Sequence, residues 1–376
     1  MARSISVGSA VVFASACVTA GVVISRVTAG PLDPPAGPVA PTHKTLSDVE
    51  PRIAISSTNT PGTATAVYRI SQGGSYYLTA NVLGATGKAG ISVETPDPVT
   101  IDLNGFTLRG VSGATDGINN ALGSRITVLN GTVSNWPGNG VEASTARGVT
   151  ASFNGQRGIS AGPRAWIEQC MVDSNGSGGA YGIVAGDSST VSDCVVRSNG
   201  AGGISVADGS RVADCIVASN ATVASSSSNY GIYTMYDCNI ERCRVNANGT
   251  TSNASSGGIL AGTGTAVREC SLYGNVNVGI SAAGETFIVA NHVNNVYLGS
   301  PAVGILVTGN YGRIEANHVD LCGVGIRAGS ATNSNVVVRN SARGNTVNYD
   351  IFPSNDFGPF GAALTSTNPW ANLQGP

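Results

Sequence analysis

The sequence predicts an all-β solenoid, and three observations carry that prediction. A short phrase recurs: Gly-Ile or Gly-Val, then Val or Ile at the tenth position, Cys at the thirteenth, Val at the fifteenth and Asn at the eighteenth. Gly182, Ile183, Val191, Cys194, Val196 and Asn199 show it in full. The phrase opens at Gly90, Gly117, Gly140, Gly158, Gly182, Gly203, Gly231, Gly258, Gly279, Gly304 and Gly325, at spacings of 18 to 28 residues, with 21 recurring three times. The chain also has 51 glycines, only 11% charged residues and 6% aromatics. Short apolar β-type runs between turns, at a period near 21, mean one coil per repeat. The core is then a narrow tube of stacked Val, Ile, Ala and Cys, which needs neither the Leu and Phe nor the surface charge of an ordinary globular domain. About eleven coils follow, roughly 50 Å of axis at strand spacing.

The elements before the coils differ in kind. Arg3 precedes an uncharged, mostly apolar run from Ile5 to Ile24, and Val27-Thr28-Ala29 offers small residues for cleavage. That order reads 1–29 as an export signal. The run is also long enough to stay as a membrane anchor, and Ala14-Ser15-Ala16-Cys17 resembles a lipobox with Ala where Leu is usual. All three readings place the rest of the chain outside the cytoplasm, secreted, periplasmic or at the cell surface. Residues 30–43 form a proline-rich, extended linker, with five prolines between Gly30 and Pro41. Residues 44–89, with Tyr68, Tyr76 and Tyr77, are assigned to an N-terminal cap, 90–347 to the coils and 348–376 to a C-terminal cap. A solenoid exposes core and strand edges at each end and needs such plugs. Tyr349, Phe352, Phe357, Phe360 and Trp370 suit that task.

Within the coils, like residues stack as ladders. Cys170, Cys194, Cys215, Cys243 and Cys270 occupy the thirteenth position, with Asn291 in the next coil; Asn175, Asn199, Asn220, Asn248 and Asn275 occupy the eighteenth. An oxidising compartment permits disulfides, but in-register side chains point the same way, and Cys is a common small buried hydrophobe. No Cys-x-x-Cys pair marks a zinc site. The asparagines suit tight turns, where the side chain bonds neighbouring main chain. The sequons at Asn130, Asn175, Asn220 and Asn248 fall mostly at these turns and are not read as glycosylation sites.

These ladders, with Val99-Thr100-Ile101-Asp102-Leu103-Asn104-Gly105-Phe106-Thr107-Leu108-Arg109-Gly110 as a first-coil signature, resemble the right-handed parallel β-helix superfamily typified by pectate lyases. The resemblance covers residues 50–376. It implies a right-handed parallel β-helix in an exported bacterial protein, and says little about activity, because the fold hosts lyases, hydrolases, epimerases, adhesins and spikes. The polygalacturonase segments Asn-Thr-Asp, Asp-Asp, Gly-His-Gly and Arg-Ile-Lys, the pectate-lyase Arg-x-Pro-x-x-Arg and the epimerase Asp-Pro-His-Glu are missing from the chain.

A net charge of −2, with 18 Arg and two Lys scattered, offers no footprint for nucleic acid and no basic run for a membrane surface beyond the N-terminal anchor. The best candidate chemistry is the twelfth position, where Gln169, Asp193, Asp214, Arg242 and Glu269 precede inward cysteines and should point outward. Asp193 and Asp214 beside Arg242 suit calcium or acid–base work on a sugar; a solvated polar stripe with an Arg-Glu ladder is the plainer reading. No other cofactor is expected. His292 and His318 stand at matching places in successive coils, as an acid–base pair or as repeat drift. The insertions 176–181, 221–230 and 249–257 leave one edge of the solenoid, and Tyr181 and Tyr230 beside their Ser, Thr and Asn residues suit carbohydrate. The expected function is polysaccharide binding or a surface structural role without strong catalysis, with lyase or glycosidase action on an acidic glycan as the alternative.

Overall fold

The computed structural model describes residues 50–223, 229–296, 302–329, 334–362 and 365–375. Residues 1–29, read from the sequence as an export signal, Cys17 among them, and the proline-rich stretch 30–43 lie outside the described residues. Every regular element described is a strand, and no described helix is long and apolar enough to cross a membrane.

Thirteen strands, from Ala66–Ile70 to Val347–Ile351, pair in parallel as one sheet. Each is followed by strands of a second, 26-stranded parallel sheet that turns a corner and forms the other faces of the coil. The chain is therefore a parallel β-helix of thirteen coils, two more than the eleven glycine phrases announce. The reason lies in one inward ladder. Ile91, Ile118, Val141, Ile159, Ile183, Ile204, Ile232, Ile259, Ile280, Ile305 and Ile326 stack in register, and Tyr68 and Tyr349 continue the stack at its two ends. The first and last coils thus carry Val67-Tyr68 and Asn348-Tyr349 where the others carry Gly-Ile, which hides them from a glycine count.

The recurring glycine answers a close approach. At Gly203 an added Cβ would lie 2.5 Å from Val217 Cγ1 and 2.6 Å from Gly231 O, so no larger residue fits without moving the next coil. The corners have a different cause. Gln169, Asp193, Asp214, Arg242, Glu269, Ala290, Ala316 and Arg339 all adopt φ between 51° and 60°. This left-handed corner turns the chain and buries the next residue. In the two coils before Gln169 the same place is held by Asn130 and Gly148, but the strands Ile126–Ser134 and Thr145–Ser152 run through the bend unbroken.

The residue after each corner is the thirteenth-position ladder. Its cysteines are all buried free thiols, and their Sγ atoms face main-chain carbonyls such as Ser192 O, 3.1 Å from Cys194. From Asn291 onward the same ladder is built of asparagine: Cys270 N donates to Asn291 Oδ1 at 2.9 Å, and Asn291, Asn317, Asn340 and Asn372 continue the chain of bonds. The eighteenth-position ladder works likewise. Each Asn donates both its backbone N–H and its Nδ2 to Oδ1 of the Asn one coil on, from Asn154 through Asn275, at 2.9–3.1 Å. Buried turn amides are thereby satisfied in a core too narrow for water. Asn175, Asn220 and Asn248, at most 1% exposed, are closed to glycosylation in the folded chain.

At the C-terminal end, Phe360 stacks on Tyr349 at 4.9 Å and on Phe357 at 5.3 Å, while the Arg339 guanidinium lies 4.2 Å above the Trp370 ring. The Tyr349 hydroxyl donates toward Asn340 O and Leu373 O, both at 2.9 Å. This aromatic cluster packs around the last coils.

Candidate functional site

One concave surface arises from a short coil. Between the strands Ile118–Asn120 and Ile126–Ser134 the connection is residues 121–125, and between Ile159–Ala161 and Trp166–Glu168 it is residues 162–165. In the coil between them, Val141–Glu142 passes to Thr145–Ser152 through residues 143–144 alone. Two longer corners therefore stand on either side of a missing one. The notch they leave has a volume of about 800 Å³ and is lined by Asn120, Ser124, Arg125, Glu142, Ser144, Ser160 and Arg164 together with small residues. Its size is that of a small-ligand site.

The walls are fixed. Asn120 Nδ2 donates to Ser124 O at 2.8 Å, and Ser124 N donates back to Asn120 Oδ1 at 2.9 Å, closing the first corner. Arg164, at φ 58°, donates its N–H to Asp187 O at 2.7 Å, anchoring the second. Ser144 is held from both sides, donating to Ile126 O and accepting from Trp166 N, each at 2.9 Å. Trp166 is 55% exposed beside this floor. The Glu142 carboxylate accepts from Asn120 N at 3.1 Å and from Asn139 Nδ2 at 2.9 Å. Asn139 N also donates to Asp116 Oδ1 at 2.6 Å, so one asparagine links two carboxylates. Burial pushes the Asp116 carboxyl up from its ordinary value, and the charge of Glu142 adds to the rise. Arg125 and Arg164 are exposed.

The carboxylate stripe lies elsewhere, on the left-handed corners. Asp193, Asp214 and Arg242 are exposed there and point outward on three successive coils. Arg242 grips Asp214 with two parallel bonds, Nε to Oδ1 and Nη2 to Oδ2, both 2.9 Å, and reaches Glu241 at 3.1 Å. That grip lowers the Asp214 pKa, through the Arg242 hydrogen bonds first. A carboxylate so held is a poor proton donor and has few lone pairs left for a cation.

A family described as "Right handed beta helix region" matches residues 116–294 and 181–347, together more than half of the chain. The chain belongs to the right-handed β-helix family. Two solved structures, both the catalytic domain of a GH87 alpha-1,3-glucanase variant in complex with tetrasaccharides, are similar to it. One has 12% identity and a TM-score of 0.39 over 89% of this chain and 70% of the other; the second has 13% and 0.36 over 84% and 69%. No curated protein matches the chain.

In this β-helix the two insertion tyrosines differ in setting. Tyr230 is 4% exposed, its ring over Gly257 of the next coil, where an added Cβ would sit 3.1 Å from Cε1. A ring so covered has no face to offer a sugar, which corrects the expectation of a tyrosine pair. Tyr181 is half-buried over Gly202, with Tyr233 tilted against it at 6.4 Å. The insertion at 249–257 is stitched down: Asn277 Nδ2 donates to Asn253 O and Ser256 Oγ, both at 2.9 Å, and Ser256 Oγ donates to Thr250 O at 2.7 Å. Nothing in their residue types marks the notch residues Arg125, Glu142, Ser144, Arg164 and Trp166, although the short 18-residue interval from Gly140 to Gly158 is a signal of the missing corner.

Proposed function

We propose that this exported β-helix protein binds an acidic polysaccharide across the notch at the Gly140 coil. One observation carries the reading: a polar groove of about 800 Å³ is flanked by Arg125 and Arg164, neither in an ion pair among the described residues. Two guanidiniums suit the carboxylates of a uronate chain, since Arg binds carboxylate with directed, charge-assisted bonds. Ser124, Ser144, Ser160 and Asn120 offer partners for hydroxyls, and the exposed Trp166 ring offers apolar area to sugar C–H groups. The apolar N-terminal segment, read as an export signal, supports a location where such glycans occur. Calcium bridging between glycan carboxylates and Glu142 is compatible with this reading and is not required by it.

The test is affinity electrophoresis or calorimetry with polygalacturonate, alginate and neutral dextran, with and without calcium. Retention by the acidic glycans alone, falling with salt, is expected. In Arg125→Ala/Arg164→Ala it should drop about tenfold or more, since a hydrogen bond to a charged group is worth about 1.5–3 kcal/mol. Equal retention by the double variant, or none by wild type, would overturn the reading. A second reading, slow lyase or hydrolase action, is favoured by the Asp116–Asn139–Glu142 link, which sets two carboxyl groups about one asparagine, with burial raising the pKa of Asp116. Unsaturated or shortened products in the same incubations would establish it.

A further inference from the structure

Six and seven coils after the Gly140 coil, two successive coils bring their histidines together. His292 and His318 are in register on neighbouring strands, with ring centroids 5.1 Å apart. Asp320 follows two residues later on the second of these strands, so its side chain emerges on the same face. Its Oδ1 is 3.2 Å from His292 Nε2. One ligand atom from each of the three residues lies within 4.8 Å of the other two. From these distances we propose that His292, His318 and Asp320 form a binding site for a borderline divalent transition-metal ion, with zinc as the reference ion.

Three features of the surroundings support a site over a chance meeting. Asn294 Nδ2 donates to Asp320 Oδ2 at 2.9 Å, which fixes the carboxylate and leaves Oδ1 turned to the histidines. Ser341 Oγ lies 3.2 Å from His318 Nδ1 and fixes that ring. Such outer partners are what orient metal ligands. The backbone beneath is the rigid ladder itself: Val293 and Val319, between the ligands, are fully buried. The donor set decides the ion. Two imidazoles and one carboxylate suit zinc, copper or nickel, whereas calcium and magnesium require oxygen donors. Three protein ligands leave a fourth position open to water or an exogenous group. His292, with its side chain 51% exposed, provides the entry path. Arg343, in register with Asp320 on the following coil, is an adverse charge near the site, and it limits the affinity.

The experiment is calorimetric titration of the metal-free folded chain with zinc chloride, paired with the absorption spectrum of the cobalt(II) form. One ion per chain is expected, with a cobalt spectrum of nitrogen and oxygen ligands. Binding should vanish in His292→Ala/His318→Ala, weaken about ten- to hundredfold in Ser341→Ala through the lost outer contact, and persist in His43→Ala. A sulfur-to-metal charge-transfer band would assign the ion to the cysteines and overturn the proposal. So would binding unchanged in the double variant, or no saturable binding by wild type. Because His292 is exposed and His318 only half-buried, both variants should keep the β-type dichroism that certifies an intact fold. Glycan retention at the notch plays no part in any of these readouts, so this site and the proposed function fail separately.

Discussion

Replacing Asn199 by Ala tests whether the asparagine ladder holds the coils together or merely decorates a bend. Asn199 is fully buried. Its Oδ1 accepts from Asn175 N at 2.9 Å and Asn175 Nδ2 at 3.1 Å; its Nδ2 donates to Val172 O at 3.1 Å and Asn220 Oδ1 at 2.9 Å. The losses are unequal. Asn175 Nδ2 keeps Ala151 O and Asp173 O, and Asn220 Oδ1 keeps the Asn199 backbone N–H. The group stranded is the backbone N–H of Asn175, buried at the turn with no route to solvent. An orphaned buried donor costs about 1–3 kcal/mol, and the small cavity left by the amide adds up to about 1 kcal/mol. A loss of about 2–4 kcal/mol is expected. Because each coil touches only its neighbours, hydrogen exchange should accelerate in the coils opening at Gly158, Gly182 and Gly203 and remain unchanged near Gly304. Denaturant unfolding gives the magnitude, and exchange read by mass spectrometry gives the place. A loss below about 0.5 kcal/mol, with Asn175 still protected, would refute the argument and leave apolar stacking as the sole support.

Two further outcomes follow from the tyrosines. Burial pushes the Tyr181, Tyr230 and Tyr349 phenols above their ordinary pKa of 10.0, so the folded chain holds protons that the unfolded chain would release. Their contribution is whole below pH 10 and is lost as pH rises beyond it; Tyr349→Phe should blunt this alkaline loss, read as the unfolding midpoint against pH, and an unchanged pH profile would count against it. Tyr230→Ala should cost about 3–5 kcal/mol, as for other buried aromatic truncations, whereas Trp166→Ala should leave the melting temperature nearly unchanged and weaken only glycan retention.

What the sequence made legible is what the ladders repeat. Ile183, Val191, Cys194 and Asn199 each recur because stacking at about 4.8 Å leaves one kind of side chain suited to each inward place. The cysteine and asparagine ladders were readable for the same reason. Backbone conformation was not. Asp193 and Asp214 stood out as carboxylates, yet the chain holds Gln169, Arg242, Glu269 and Ala290 at the same left-handed corner. The place demands a turn and an outward side chain of almost any type, so residue chemistry there is a weak signal. Tyr230 misled for a related reason: a residue one place before the glycine phrase reads as a loop residue, but the glycine of the following coil makes room for its ring. At the histidines the matching coil positions were visible in the sequence. The contribution of Asp320 was not, because it depends on which of its oxygens Asn294 holds.

In a repeat this regular, a binding site is made where one coil departs from its neighbours. The notch exists because residues 143–144 are too few to build the corner that residues 121–125 and 162–165 build on either side. The histidine cluster exists because two coils carry imidazole at a place where the coils on either side carry Ser271 and Ser341. The coils opening at Gly182, Gly203, Gly231 and Gly258 lie between the two departures, at least about 20 Å of stacked strand. Every inward ladder crosses that interval without a break, so strain introduced at one departure decays in its own neighbours. Energetic coupling between residues so far apart, with no shared partner, is ordinarily negligible. A solenoid can therefore acquire a second site without disturbing the first, which is how one narrow core of Val, Ile, Cys and Asn can carry the proposed groove and the proposed metal site at separate places along its length.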